Sequence, residues 1–220
     1  RSHVALVGEN GAGKSTLIKL LLGMYVPSSG TVRINGQNLN TYDVNSWHKQ
    51  LAVLLQEFIH YSYTTIGENI WHGDVRQKYD PETLKAALAQ GEATEIVDAL
   101  PHKLETQASN WFDETEGIEL SGGQWQRIAL SRNFFRQAPI IILDEPTSAI
   151  DALAEAKIFR KLFARDNKKT VITISHRRST VEKADIIYVL KDGRIAESGT
   201  HKELVAKNGE YCRMFADQLR

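Results

Sequence analysis

Cys212 is the only cysteine in the 220-residue chain, so no disulfide can close within it. That fits a reducing compartment without proving one. Charge of one sign is also lacking. Lys plus Arg and Asp plus Glu both number 27, for a net charge of zero. A dedicated nucleic-acid binder usually carries a basic excess or stripe, so no nucleic-acid partner is expected. Apolar runs are only a few residues long, far short of a membrane span, and no signal-peptide pattern is visible. Repeats and low-complexity tracts are absent. What remains is a chain with 42% hydrophobic residues, enough to build a core for one domain or two small lobes. It opens abruptly in "RSHVALVG", a strand, which suggests a piece of something longer.

Apolar periodicity gives an α/β pattern. Strands are expected at 4–7, 31–34, 51–55, 140–143, 171–174 and 186–190, with a helix-compatible run at 16–22. Asn35-Gly36 and Asp192-Gly193 read as tight turns. Asp80 and Pro81 supply an N-cap and first-turn proline for one helix, and "EATEIVDAL" forms another, stopped by Pro101. Ser121 opens a third helix running to about Phe135, and a fourth covers 152–164. Thr200 and Glu203 fit a capping box before a last helix. The chain therefore divides into an α/β core, about 1–56 and 137–220, and a mostly helical insertion, about 57–136.

"GENGAGKS", 8–15, matches G-x-x-x-x-G-K-[ST] between a strand and a helix, the context that motif requires. Gly8, Gly11 and Gly13 let the backbone turn its N–H groups toward a polyphosphate. The helix opening near Lys14 adds unpaired N–H groups and the positive end of its dipole. Lys14 can reach the outer phosphates, and the Ser15 hydroxyl can ligate Mg²⁺. "IIILDE", 140–145, places Asp144 at the carboxyl end of a buried strand, where ligands of open α/β sheets bind. That carboxylate can hold Mg²⁺, and Glu145 can polarise a water as general base. One acidic residue there would serve equally as a turn cap. Loop and acidic pair also suit a small-molecule kinase or a GTPase.

A second glycine-rich helix opening, "LSGGQ" at 120–124, follows more than a hundred residues later. Ser121 and Gln124 fit a capping box, and Gly122 and Gly123 leave the first N–H groups uncovered, which makes a second anion site possible. In one molecule the two sites need not meet. In a two-fold, head-to-tail pair, the cap of one copy can complete the loop of the other.

These residues together resemble the ATP-binding cassette ATPases. "GENGAGKST" resembles Walker A, "LSGGQ" the signature, "IIILDEP" Walker B, "SAID" (148–151) the D-loop, Gln56 the Q-loop glutamine, and His176 in "TISH" the switch histidine. The resemblance spans nearly the whole chain. It implies a P-loop NTPase core with a helical signature-motif subdomain and a truncated antiparallel β subdomain. It implies ATP and Mg²⁺ as ligands and a sandwich dimer, with itself or a related domain, that hydrolyses ATP. The loop from Gly8 through Asn10, Gly11, Ala12, Gly13, Lys14 and Ser15 to Thr16 would bind nucleotide, with Ser121, Gly122, Gly123 and Gln124 in trans. Ser15, Gln56 and Asp144 would hold Mg²⁺. Glu145, His176 and Gln56 would be catalytic, and Asp151 would communicate across the dimer.

"TTIGENI" (64–70), "GRIAESGTHKEL" and the acidic Glu114 and Glu116 are similar to the exporter branch, whose ATPase usually follows a membrane domain on the same chain. That implies the cytoplasmic face of a membrane, the inner membrane in a bacterium. Soluble members of the family, in translation or DNA repair, usually carry two cassettes or a long coiled coil, and neither occurs in this sequence. Three features depart from the pattern. The adenine-stacking aromatic is expected upstream of residue 1. Trp125 replaces a usually small or polar residue. "EFIHYSY", 57–63, lacks a common proline and is one residue longer. With Glu145 and His176 both intact, a competent site in a homodimer is expected.

Overall fold

The structure is a computed structural model that describes residues 2–110, 118–164 and 169–216. In chain order its elements are β1 (His3–Gly8), α1 (Lys14–Leu21), β2 (Arg33–Ile34), β3 (Gln37–Asn38), α2 (Val44–Lys49), β4 (Leu51–Leu54), α3 (Ile66–Trp71), α4 (Pro81–Gln90) and α5 (Thr94–Asp98). They continue with α6 (Gly122–Arg136), β5 (Ile140–Asp144), α7 (Ala152–Leu162), β6 (Thr170–Ile174), α8 (Arg178–Val181), β7 (Ile186–Lys191), β8 (Arg194–Gly199), α9 (His201–Lys207) and α10 (Glu210–Met214). Contacts gather them into two compact units. One takes in Arg1–Leu51, Ile142–Asp144 and Lys169–Arg220, the other Ala52–Ile141 and Glu145–Lys168.

The first unit is built on strands in the order β6-β1-β7-β8, with the end of β5 beside β6. β1 runs parallel to both neighbours, pairing Leu6 with Ile174 and with Tyr188. Its sequence, HVALVG, is buried at every position but Val4, as a strand covered on both faces must be. Ala5, Val7, Ile187 and Val189 pack with Val181, Leu204, Tyr211 and Phe215 into one apolar cluster. The β7–β8 hairpin turns at Asp192 (φ 49°) and Gly193 (φ 72°), and the β2–β3 pair at Asn35 (φ 49°) and Gly36 (φ 82°). Both turns are the left-handed kind that matches strand twist. β2–β3 forms a small antiparallel pair of its own, and β7–β8 adds an antiparallel edge to the main sheet. Thr200 caps α9 as expected, but α9 is not the last helix. The buried Glu197 carboxylate accepts the backbone N–H groups of Glu210 and Tyr211, at 3.1 Å each, and so starts α10.

The second unit centres on α6, whose Ile128, Leu130, Phe134 and Phe135 are buried. α3 and α4 pack on it and contribute Ile66, Ile70, Leu84 and Leu88 to the core. Asp80 accepts from Thr83 N at 2.9 Å to cap α4, with Pro81 in its first turn. Among the described residues, no helix is long and apolar enough to cross a membrane.

Candidate nucleotide site

The first unit carries the phosphate loop. Gly8 ends β1 and Lys14 begins α1. Gly11 (φ 82°) and Gly13 (φ 100°) hold left-handed backbone that favours glycine, and Gly13 is the N-cap, with no side-chain cap on the helix. The first N–H groups of α1 therefore face outward uncapped, as an anion site requires. A Cβ on Gly8 would lie 2.5 Å from Leu190 O, so the loop's entry admits only glycine against β7. Lys14 is buried, and its Nζ donates to Gly8 O at 2.6 Å and Glu9 O at 3.0 Å. The ammonium is thus held over the loop. Ser15 Oγ donates to Asp144 Oδ2 at 3.3 Å, joining residues 129 apart in sequence. Asp144 is buried, and the pair offers two oxygen donors side by side, the chemistry a hard divalent cation takes. His176 is exposed, two residues beyond the end of β6 and so at the same sheet edge as the end of β1.

The second unit holds the remaining predicted residues. Gln56 is exposed, two residues past β4. Glu145 follows Asp144 directly and sits at φ 49°, an uncommon setting for a residue with a side chain. Ser121 and Gln124 form the expected capping box. Ser121 Oγ accepts from Gln124 N at 3.3 Å, and Gln124 Oε1 accepts from Ser121 N at 2.8 Å. Ser121 and Gly122 are exposed. A Cβ on Gly123 would lie 2.6 Å from Ala149 O, so the helix opening is in close contact with the segment that follows Glu145. Asp151 caps α7, accepting from Leu153 N at 3.1 Å and Ala154 N at 2.9 Å, and pairs with Arg127. The hydrogen bond from Ala154 N, more than the Arg127 charge, holds its carboxyl below the usual range.

Comparison with known proteins supplies the family. A family model described as ABC transporter matches residues 1–148. The chain belongs to the ABC transporter family. It is similar to the subtilin transport ATP-binding protein SpaT of Bacillus subtilis, 41% identical over 96% of this chain and 34% of that protein. It is also similar to an ATP-dependent lipid A-core flippase of Cupriavidus metallidurans, 39% identical over 98% of this chain and 36% of the flippase. The ATP-bound structure of a bacterial Atm1-family ABC exporter aligns with 100% of this chain and 37% of its own, at 34% identity and a TM-score of 0.90. The chain spans about a third of the length of these relatives. Nucleotide binding goes with the family.

Two residues of this ABC domain escaped the motif reading. Gln126 is buried in α6. Its Nε2 donates to Glu145 O and Ser148 Oγ, both at 3.2 Å, and its Oε1 accepts from Ala149 N at 2.9 Å. It thereby fixes the backbone on which Glu145 and the D-loop sit. Arg127 reaches the D-loop through Asp151 and also donates to Glu92 O at 3.2 Å. The sequence did carry a signal for Gln126. It lies one turn from the buried Leu130, and a polar side chain on an apolar helix face needs partners. Glu114 and Glu116 lie outside the described residues.

Proposed function

We propose that this chain is the ATP-binding and ATP-hydrolysing domain of a membrane exporter, working as a nucleotide-sandwich dimer with a second such domain. The Ser15–Asp144 hydrogen bond carries the reading, because it joins the phosphate loop to the acidic strand end at one point. Backbone N–H groups of the loop, from Gly8 through Asn10, Ala12 and Gly13 to Thr16, bind the phosphates, and Lys14 shifts from its carbonyl partners to the outer ones. Mg²⁺ would be held by Ser15 and Asp144, with Gln56 as a further ligand, and would screen charge on the phosphate oxygens. Glu145 orients and deprotonates the attacking water, and His176 contacts the γ-phosphate. Ser121, Gly122, Gly123 and Gln124 of the second copy close on that phosphate, and Asp151 lies at the dimer seam.

The lengths of the relatives support a membrane domain on the same full-length chain, which would place this domain at the cytoplasmic face. The closing of the pair would then drive transport. Replacing Lys14 by Ala removes the cation at the phosphates. Turnover of Mg·ATP by the full-length chain in lipid should fall roughly 100-fold or more, the scale of losing one preorganised charge contact. Hydrolysis at the wild-type rate would overturn the assignment of the loop.

A further inference from the structure

Two of the three departures from the family pattern, Trp125 and the segment 57–63, touch each other. The His60 imidazole lies flat on the Trp125 indole, with ring centroids 4.6 Å apart and planes 2° apart. Phe58 also meets the His60 ring, tilted by 53°, with centroids 5.0 Å apart. Trp125 is 6% exposed while His60 is exposed, so the histidine acts as the lid on the tryptophan. Two helical turns further along α6, Arg132 grips the same segment. Its Nη1 donates to Ile59 O at 3.2 Å, and its guanidinium lies 4.6 Å from the Tyr61 ring centroid. Its other N–H groups donate to Asn69 O at 2.9 Å and Asn69 Oδ1 at 3.1 Å, while Asn69 Nδ2 donates to Tyr61 O at 2.9 Å. Burial pushes the Arg132 guanidinium down to about 10, which leaves it charged at neutral pH.

Residues 58–61, just after Gln56, are therefore fastened to α6 at two points on one helix face. The Trp125 point lies one turn from Ser121, the residue that opens α6. We propose that His60 and Trp125 are positioning residues of the hydrolysis cycle. Their stack carries displacement of the segment after Gln56 to the Ser121 anion site and sets how readily that site closes on nucleotide. Arg132 alone fixes the segment near the far half of α6. The stack is what ties it to the end that carries Ser121. The inference rests on the proposed function, in which Gln56 serves the nucleotide site and Ser121 acts in trans.

A double-mutant cycle on the full-length chain in lipid nanodiscs tests it, with Mg·ATP as the probe. His60→Ala and Trp125→Ala should each lower kcat roughly two- to tenfold, an aromatic pair's energy read at the transition state. KM for ATP should stay unchanged, because the phosphate loop is untouched. The double variant should be no slower than the slower single, and His60→Phe, which keeps a stackable ring, should restore turnover. Additive losses, unchanged turnover, His60→Phe as slow as His60→Ala, or a fall in melting temperature that tracks the fall in kcat would each overturn the proposal. Lys14→Ala in the same assay separates the two claims. If it remains active, the reading of the site itself fails, whatever the cycle shows.

Discussion

His3 shows how a single buried side chain ties this fold to pH. It is 7% exposed on β1, with its ring against Thr173 Oγ1 at 3.3 Å. Burial lowers its pKa from 6.5 to about 4, against the opposing pull of the Lys183 backbone and the Asp185 carboxylate. The unfolded chain takes up a proton as pH falls through 6.5, and the folded chain does so only near 4. Stability is therefore fullest above pH 6.5 and declines between 6.5 and about 4, by about 3 kcal/mol in all. Urea midpoints measured from pH 7 to 4.5 should fall more steeply for the wild type than for His3→Gln. Parallel curves would mean that the imidazole is not buried neutral. The geometry of the loop was legible where a motif fixed it within a few positions, as for Lys14 and Ser15. For Gln126 the sequence signalled only a need for partners and not which ones, because 145–149 follow a full helix and strand and only the tertiary structure brings them back.

Among the elements, α3 and α6 open with the same device and serve different ends. Thr65 and Glu68 form a reciprocal capping box on α3, as Ser121 and Gln124 do on α6. The α3 box went unread although Thr-x-x-Glu stands in the sequence. The helix has six residues, too few to show a helical period. Likewise α10 owes its start to Glu197, a side chain thirteen positions before Glu210, which no local rule supplies. The helices α4 and α6 were legible from their N-cap signals, and the strands β1 and β5 from short apolar runs that the fold buries. Thr65→Ala should cost only a cap, about 1 kcal/mol in melting experiments, and leave turnover per folded molecule unchanged. Ser121→Arg should be comparably mild in stability and leave nucleotide binding intact, yet block turnover, because it sets a bulky cation where the second copy's phosphate must seat. Normal hydrolysis by Ser121→Arg, assayed in the full-length chain, would sink the role in trans.

At the scale of the whole molecule, two helix openings proposed as anion sites belong to two different units. One is the uncapped opening of α1, the other the serine-capped opening of α6. The family relation accounts for both motifs, and under the proposed pairing a second copy would give the second opening a ligand. Six motifs in order across the chain made the fold class legible at once. The transported compound was not legible, because nothing in these units contacts it under the proposed division of labour. The self-pairing claim is tested most directly by the light-scattering mass of the Glu145→Gln domain, with nucleotide binding followed in the same sample. Slowed hydrolysis should trap the closed pair. The mass should double with Mg·ATP and return to monomer when nucleotide is removed. A domain that binds Mg·ATP yet stays monomeric at every concentration would contradict it.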